Sequence, residues 1–468
     1  MSKELLKGSY HLVVGNILTL FAIAVAYFGY SVFLVPEELG IIATGIAASK
    51  ISRILIDSGM RMSLINLKYA STSQYQEAFL GASLIALLLL FLLFLLLFDS
   101  NGRYDYVVYY TAPALLSAPL LLVVIAHLER NFRYKHVTII ESSGSIVEYV
   151  IPLFLWVTMD SNIIVFIYSA ILANIIRVVL ALNFSNNALT GDYSFDFFKN
   201  HVNRSAVFIR KSFTLQVGAF SSQIRDNLHL FLIIPLFGYS WGGLYSWAFM
   251  VLAASSQVIS QSFNRVTLAV AKNLDMLQVA DIVQKQITIS AIIAGPTLVL
   301  LPTALSFLDG IIFDLKWSEA IFLVEILTFR MFISLAINAI SSIYLISHGS
   351  FLYSKMQTKW LFIDVFFALF AIYFFSEIGL AIGISTSVIF SMYLWYKLYD
   401  RLILKIALKA LFARPSLYIS IALILVVQPY LMANVCTDGL FCIPASLSLI
   451  FVVSVAIDLY FSFWKIKK

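Results

Sequence analysis

Charge is scarce in this 468-residue sequence: Asp, Glu, Lys and Arg make up 12% of it. Hydrophobic residues make up 61%, and the mean hydropathy is +0.92. So few charges cannot cover water-facing surfaces, which excludes a string of soluble domains. Cysteine is rarer still. Cys436 and Cys442 alone do not make a structural metal centre or an iron–sulfur cluster. The six histidines are scattered without metal-ligand spacing, and no Walker loop is present. The residues therefore imply no cofactor, and ATP-driven transport has no support. Outward loops are short throughout, which counts against a membrane-embedded glycan-processing enzyme, the enzyme alternative.

What is abundant is apolar helix. Dividing the length by about 20 residues for a span and about 12 for a connection predicts about 14 crossings. Segments such as Leu84 to Phe98 are apolar on every side, unlike the alternating strands of a membrane barrel. The expected class is an all-α polytopic membrane protein. Helices are expected near 10–34, 40–65, 78–98, 107–127, 138–158, 162–183 and 213–236, then 240–262, 282–305, 319–345, 358–376, 378–399, 415–433 and 443–463. The segment before the first helix leads into a span too long for a cleaved signal, so it reads as retained.

Lys and Arg sort by the positive-inside rule. One set of alternate connections, with both termini, holds Lys3, Lys7, Arg61, Lys68, Arg130, Arg133, Lys135, Lys199, Arg210, Lys211, Arg265, Lys272, Lys355, Lys359, Arg401, Lys405, Lys468 and their neighbours; the other holds only Arg103 and Lys316. A wrong helix count would mix the sets. Both termini are thus expected inside, and the net charge of +6 reads as topology and attraction to anionic membrane lipid, not as a nucleic-acid patch. Residues 184–212, with a basic amphipathic stretch from Phe197 to Lys211, read as a cytoplasmic linker lying on the membrane. The expected division is a bundle of six helices over 1–183, the linker at 184–212, a second bundle over 213–399, and two more helices over 400–468. A weak repeat supports it: Gly40-Ile41-Ile42-Ala43 corresponds to Gly243-Leu244-Tyr245-Ser246, each after a tight outer turn.

Several charges fall inside expected spans: Lys50, Arg53 and Asp57 in the second, Glu148 in the fifth, Arg225 and Asp226 in the seventh, and Arg330 in the tenth. Central charges cost about 2.5–3.5 kcal/mol each on insertion, so several together imply pairing or a shared aqueous cavity. Arg53 and Asp57, at i and i+4, can pair. Arg225 and Asp226 are adjacent, so their side chains diverge and each needs another partner. The cations outnumber the carboxylates, which favours an anion-binding cavity. Glu141, Ser145 and Glu148 share a helix face. Glu148 there has two readings, a carrier of a coupling proton or a carboxylate answering an arginine. Asp364 and Asp458 lie nearer helix ends and read as structural.

Three groups of residues carry a family resemblance. Phe33-Leu34-Val35-Pro36-Glu37-Glu38-Leu39-Gly40, with Asp57-Ser58-Gly59 in the next helix, resembles the N-terminal signature of bacterial O-antigen and exopolysaccharide repeat-unit flippases. Leu128-Glu129-Arg130-Asn131-Phe132-Arg133-Tyr134-Lys135 is similar to their loop after the fourth helix. Arg225-Asp226 with Gly243-Leu244-Tyr245-Ser246-Trp247-Ala248 resembles the start of their second bundle. The resemblance covers about the first 270 residues. It places the chain in the multidrug, oligosaccharidyl-lipid and polysaccharide exporter superfamily.

That resemblance implies a flippase in the bacterial inner membrane that carries an undecaprenyl-diphosphate-linked oligosaccharide from the inner to the outer leaflet by alternating access. It implies as partners the lipid-linked oligosaccharide, membrane lipids, and a polysaccharide polymerase with its chain-length regulator. Arg53, Arg225 and Arg330, with Lys50 secondary, would hold the diphosphate, since guanidinium forks suit phosphate oxygens. Asp57, Asp226 and Glu148 would orient it or carry coupling ions. The alternative within the superfamily is a cation-coupled multidrug exporter. A cationic drug would favour an acidic cavity, so the cation excess weighs against it. Cys436 and Cys442 share the last outward connection, where Asp438-Gly439 could bring them together as a disulfide; two free thiols are the simpler alternative.

Overall fold

The computed structural model describes residues 3–66, 71–99, 105–158, 163–185, 195–253 and 276–398. Among these every regular element is a helix, as expected. They are α1 (Lys3–Phe33), α2 (Pro36–Asp57), α3 (Met60–Asn66), α4 (Thr72–Asp99), α5 (Asp105–Arg130), α6 (Tyr134–Thr158) and α7 (Ile164–Phe184). After them come α8 (Phe195–Asp226), α9 (Leu228–Phe237), α10 (239–253), α11 (Met276–Ile311), α12 (Ser318–Phe375), a 3-10 turn at Ser376–Ile378 and α13 (Gly379–Leu398). Among the described residues, six helical stretches are long and apolar enough to cross a membrane: Pro36–Asp57, Thr72–Leu95, Asp105–Arg130, Tyr134–Trp156, Ile164–Phe184 and Phe351–Ser391.

Local chemistry sets the boundaries. Pro36 opens α2, where its missing N–H costs nothing, and the Glu38 carboxylate accepts from the Val35 N–H at 3.1 Å. Ser58 and Gly59 then take left-handed φ of 43° and 76°, which ends α2. The expected helix over 40–65 is therefore two elements. Asp57 straddles the break, its Oδ1 accepting from the Arg61 N–H at 3.0 Å.

Two other expected boundaries move. The amphipathic stretch over 197–211 does not end in a break, because α8 runs unbroken from Phe195 to Asp226. Ile209 packs onto the Met60, Tyr75 and Ala78 core, so this part of the linker joins the fold. The break comes instead at Asn227, between α8 and α9. Likewise, the expected connection between helices at 319–345 and 358–376 is helical, inside the 58-residue α12. At 1.5 Å per residue that helix is about 87 Å long, far more than one crossing of about 30 Å. The helices expected at 415–433 and 443–463, and both cysteines, lie outside the described residues.

The described residues divide into two compact units, one of Met1–Met250 with His348–Phe366, the other of the remainder. In the first, α2 and α7 pack on α5, and α1 and α7 on α6. Its cores are small-residue seams filled by Leu, Ile and Val, such as Ala78, Ala82 and Ala118 with Leu115 and Leu122. The outward faces are as apolar as the cores. Leu87, Leu88, Phe91 and Phe94 on α4 are all exposed, a face that belongs in lipid. In the second unit, α13 meets α12 through Gly379 and Gly383. Their Cα atoms lie against the Ala371 and Phe367 carbonyls, leaving no room for a Cβ.

Candidate functional site

The described polar core of the first unit centres on two arginines. Arg53, in the last turn of α2, donates from Nη2 to Asn174 Oδ1 at 3.0 Å. Ser117 of α5 donates to the same oxygen at 2.9 Å, and Asn174 in turn donates to the Ala170 carbonyl at 2.7 Å. Three residues further along α7, Arg177 donates from Nη2 to Glu148 Oε2 at 2.7 Å. Tyr110 of α5 donates to the other oxygen, Glu148 Oε1, at 3.0 Å. Both members of the ion pair are more than nine-tenths buried. The Arg177 stem lies across Gly144 of α6, where a Cβ would overlap its Nε, Cγ and Cδ. The run Ser142-Ser143-Gly144-Ser145 is thus the groove that admits the arginine.

Beside these groups is a cleft of about 260 Å³ lined by Thr19, Arg53, Glu141, Ser142, Ser145 and Arg177, among others. Arg53 Nε and Arg177 Nη1 are buried without a hydrogen-bond partner. A buried guanidinium with an open N–H is costly unless water or an anion completes it.

The remaining expected residues separate. Arg53 and Asp57 do not satisfy each other as anticipated, since one turns to Asn174 and the other caps α3. Lys50 is exposed on α2. Glu148 does answer an arginine, but that arginine is Arg177. Glu141, on the same face of α6, reaches Arg61 instead, at 3.8 Å.

Arg225, in the last turn of α8, donates to Gln357 Oε1 at 3.0 Å and lies 4.1 Å over the Trp360 ring. Contrary to the argument from adjacency, Arg225 Nε also comes within 3.9 Å of Asp226 Oδ1. The helix ends there, which frees Asp226 from the usual divergence, and Asp226 remains half exposed. Arg330 belongs to the second unit, where it is buried and donates to the Ile384 carbonyl at 3.1 Å.

Sequence reasoning passed over Arg177. The signal was there, because Arg177 stands thirteen residues into α7, about 20 Å from its start. It lies inside the span expected at 162–183, the same criterion that singled out Arg53 and Arg330. It also missed the role of Glu129 and Arg130. Arg61 donates from Nε and Nη2 to Glu129, the Nε bond being 2.9 Å; Arg130 donates to the Leu64 carbonyl at 2.8 Å. Together they fasten α3 to α5.

Solved structures share this architecture. The lipid II flippase MurJ in an inward closed conformation superposes with a TM-score of 0.72 over 99% of this chain and 100% of that one, at 15% identity. A MATE structure in complex with MaL6 gives 0.55 over 87% and 100%, at 13% identity. An outward-facing multidrug resistance MATE family transporter of the MOP superfamily gives 0.52 over 87% and 99%, also at 13%. At such identities the likeness is one of fold, and the fold is that of flippases and transporters. No curated protein matches the chain. The family described as polysaccharide biosynthesis protein matches residues 31–322, well over half of the sequence, and the chain belongs to that family.

Proposed function

We propose that this protein is a flippase for an undecaprenyl-diphosphate-linked oligosaccharide repeat unit, moving it from the inner to the outer leaflet by alternating access between bundles over 1–183 and 213–399. The observation that carries this reading is the pair of guanidiniums, Arg53 half-buried and Arg177 buried, each with a buried N–H group lacking a partner beside a cleft in a membrane-embedded bundle. Membership of a polysaccharide biosynthesis family supports this choice of substrate. Arg53, Arg225 and Arg330 offer phosphate oxygens the planar fork they favour, with Lys50 as an accessory charge. Asp226 and Glu148 hold arginines in place, and Asp57 shapes the inner end of α2. The chain acts as a carrier and not as an enzyme. It resides in the bacterial inner membrane with both termini cytoplasmic, and hands its cargo to a polymerase and chain-length regulator outside.

The test is complementation. In cells lacking their own repeat-unit flippase, the protein restores surface polysaccharide and clears accumulated lipid-linked precursor. Restoration of resistance to cationic drugs, with no effect on precursor, would instead identify a multidrug exporter.

A further inference from the structure

We propose that Arg177 and Arg53 together form a phosphate subsite in the wall of the first unit, and that the adjoining Ser and Thr hydroxyls with Glu141 receive the sugar attached to that phosphate. The inference deepens the flippase reading and rests on it.

The cleft is lined by four helices of the unit. Thr19 comes from the middle of α1, Arg53 from the last turn of α2, Glu141, Ser142 and Ser145 from the first half of α6, and Arg177 from the second half of α7. Glu141 also lies 3.8 Å from Arg61, one of the cations that read as cytoplasmic together with Arg130, Arg133 and Lys135.

Its donors are of two kinds. The guanidiniums each keep a buried, unsatisfied nitrogen, Nε on Arg53 and Nη1 on Arg177. Arg177 is held by Glu148 through Nη2 alone, so the other edge of its fork is free for an oxyanion. The second kind is a hydroxyl layer already in mutual contact: Thr19 donates to Ser142 Oγ at 3.0 Å, and Arg177 Nη2 lies 3.4 Å from Ser145 Oγ. A bare phosphate would find Glu141 repulsive. A phosphate bearing a sugar would not, because a carboxylate accepts from sugar hydroxyls. The mixture of two arginines, hydroxyls and one carboxylate therefore fits the phosphate–sugar junction better than a free anion.

Phospholipid headgroups share the phosphate, so the test separates the two. The purified full chain in neutral detergent is titrated with farnesyl diphosphate linked to N-acetylglucosamine, and binding is followed by native mass spectrometry. Dimyristoylphosphatidylglycerol is the competitor. The informative variant is Arg177→Ala with Glu148→Gln, which removes the pair without stranding a buried carboxylate. We expect affinity for the sugar-linked probe to fall about tenfold or more, with Arg177→Lys intermediate because charge survives without the fork. Unchanged affinity in a monodisperse double variant overturns the subsite. So does displacement of the probe by an equal concentration of phosphatidylglycerol. If the double variant does not fold, hydrogen exchange on the wild-type chain decides: the probe slows exchange over 138–145, and no slowing overturns the proposal. A double variant that still exports polysaccharide would remove the subsite while leaving the flippase reading intact. Failure of the wild-type chain to complement would remove that reading itself.

Discussion

Gly40 of α2 and Gly243 of α10 meet backbone to backbone: a Cβ on Gly40 would overlap the Tyr239 carbonyl, and one on Gly243 the Pro36 carbonyl. These are the two glycines aligned by the internal repeat, and the contact is reciprocal, as expected of elements related by a two-fold axis. Because the obstacle on each side is main chain, no rotamer change can relieve it. Gly40→Val or Gly243→Val should cost about 1–3 kcal/mol of packing and leave membrane insertion intact while transport falls. Polysaccharide export per unit of membrane-inserted protein measures this. Normal export with Val at both positions would show that the close approach is dispensable.

Gly144 gives a second, more local prediction. Valine there would drive the Arg177 stem out of its groove, so Gly144→Val should reproduce the transport loss of Arg177→Ala although it removes no charge. Stability should suffer too, since displacing Arg177 uncouples a buried ion pair whose rupture typically costs about 3–5 kcal/mol. Thermal unfolding of the purified variant, compared with the wild-type chain, measures this; an unchanged midpoint would contradict the groove.

Arg225→Ala and Arg330→Ala should insert and accumulate normally, because removing an intramembrane charge lowers the insertion cost, yet both should lower transport. Lysine at either position should retain more function than alanine. If Arg225 only pairs with Asp226, Arg225→Ala would lower abundance and Asp226→Asn would rescue it. Precursor accumulation normalised to abundance separates these outcomes.

At the base of the first unit, Arg61 holds Glu129 with two hydrogen bonds. Arg61→Ala should destabilise the chain by about 1.5–3 kcal/mol, the range for hydrogen bonds to charged groups. Glu129→Gln should cost less, since the amide oxygen still accepts. A larger loss for Glu129→Gln in thermal unfolding would mean that the carboxylate has another principal partner.

Topology is checked most directly at Lys199. Cysteine placed there should be inaccessible to impermeant thiol reagents in intact cells and reactive after the membrane is opened. Labelling from outside would reverse the orientation of α8.

The solvent settled most of what the sequence could decide alone. A chain with 12% charge must bury its backbone polar groups in helices across lipid, so the all-helical class, the span at 164–184 and the intramembrane charges were readable from composition and depth. Local punctuation was read less well: Pro36 opens α2 although the helix was expected only from residue 40, and the break at Ser58-Gly59 needed two left-handed residues that an apolar run conceals. Which charges meet was not readable, because partners such as Arg53 and Asn174 lie 121 residues apart and only helix packing brings them together. The i,i+4 rule offered Asp57 to Arg53, but the turn after Asp57 redirected that carboxylate to the Arg61 backbone. Tertiary structure likewise gave Glu148 its partner, because Gly144 clears a path along α6 that is open only once α7 is packed against it.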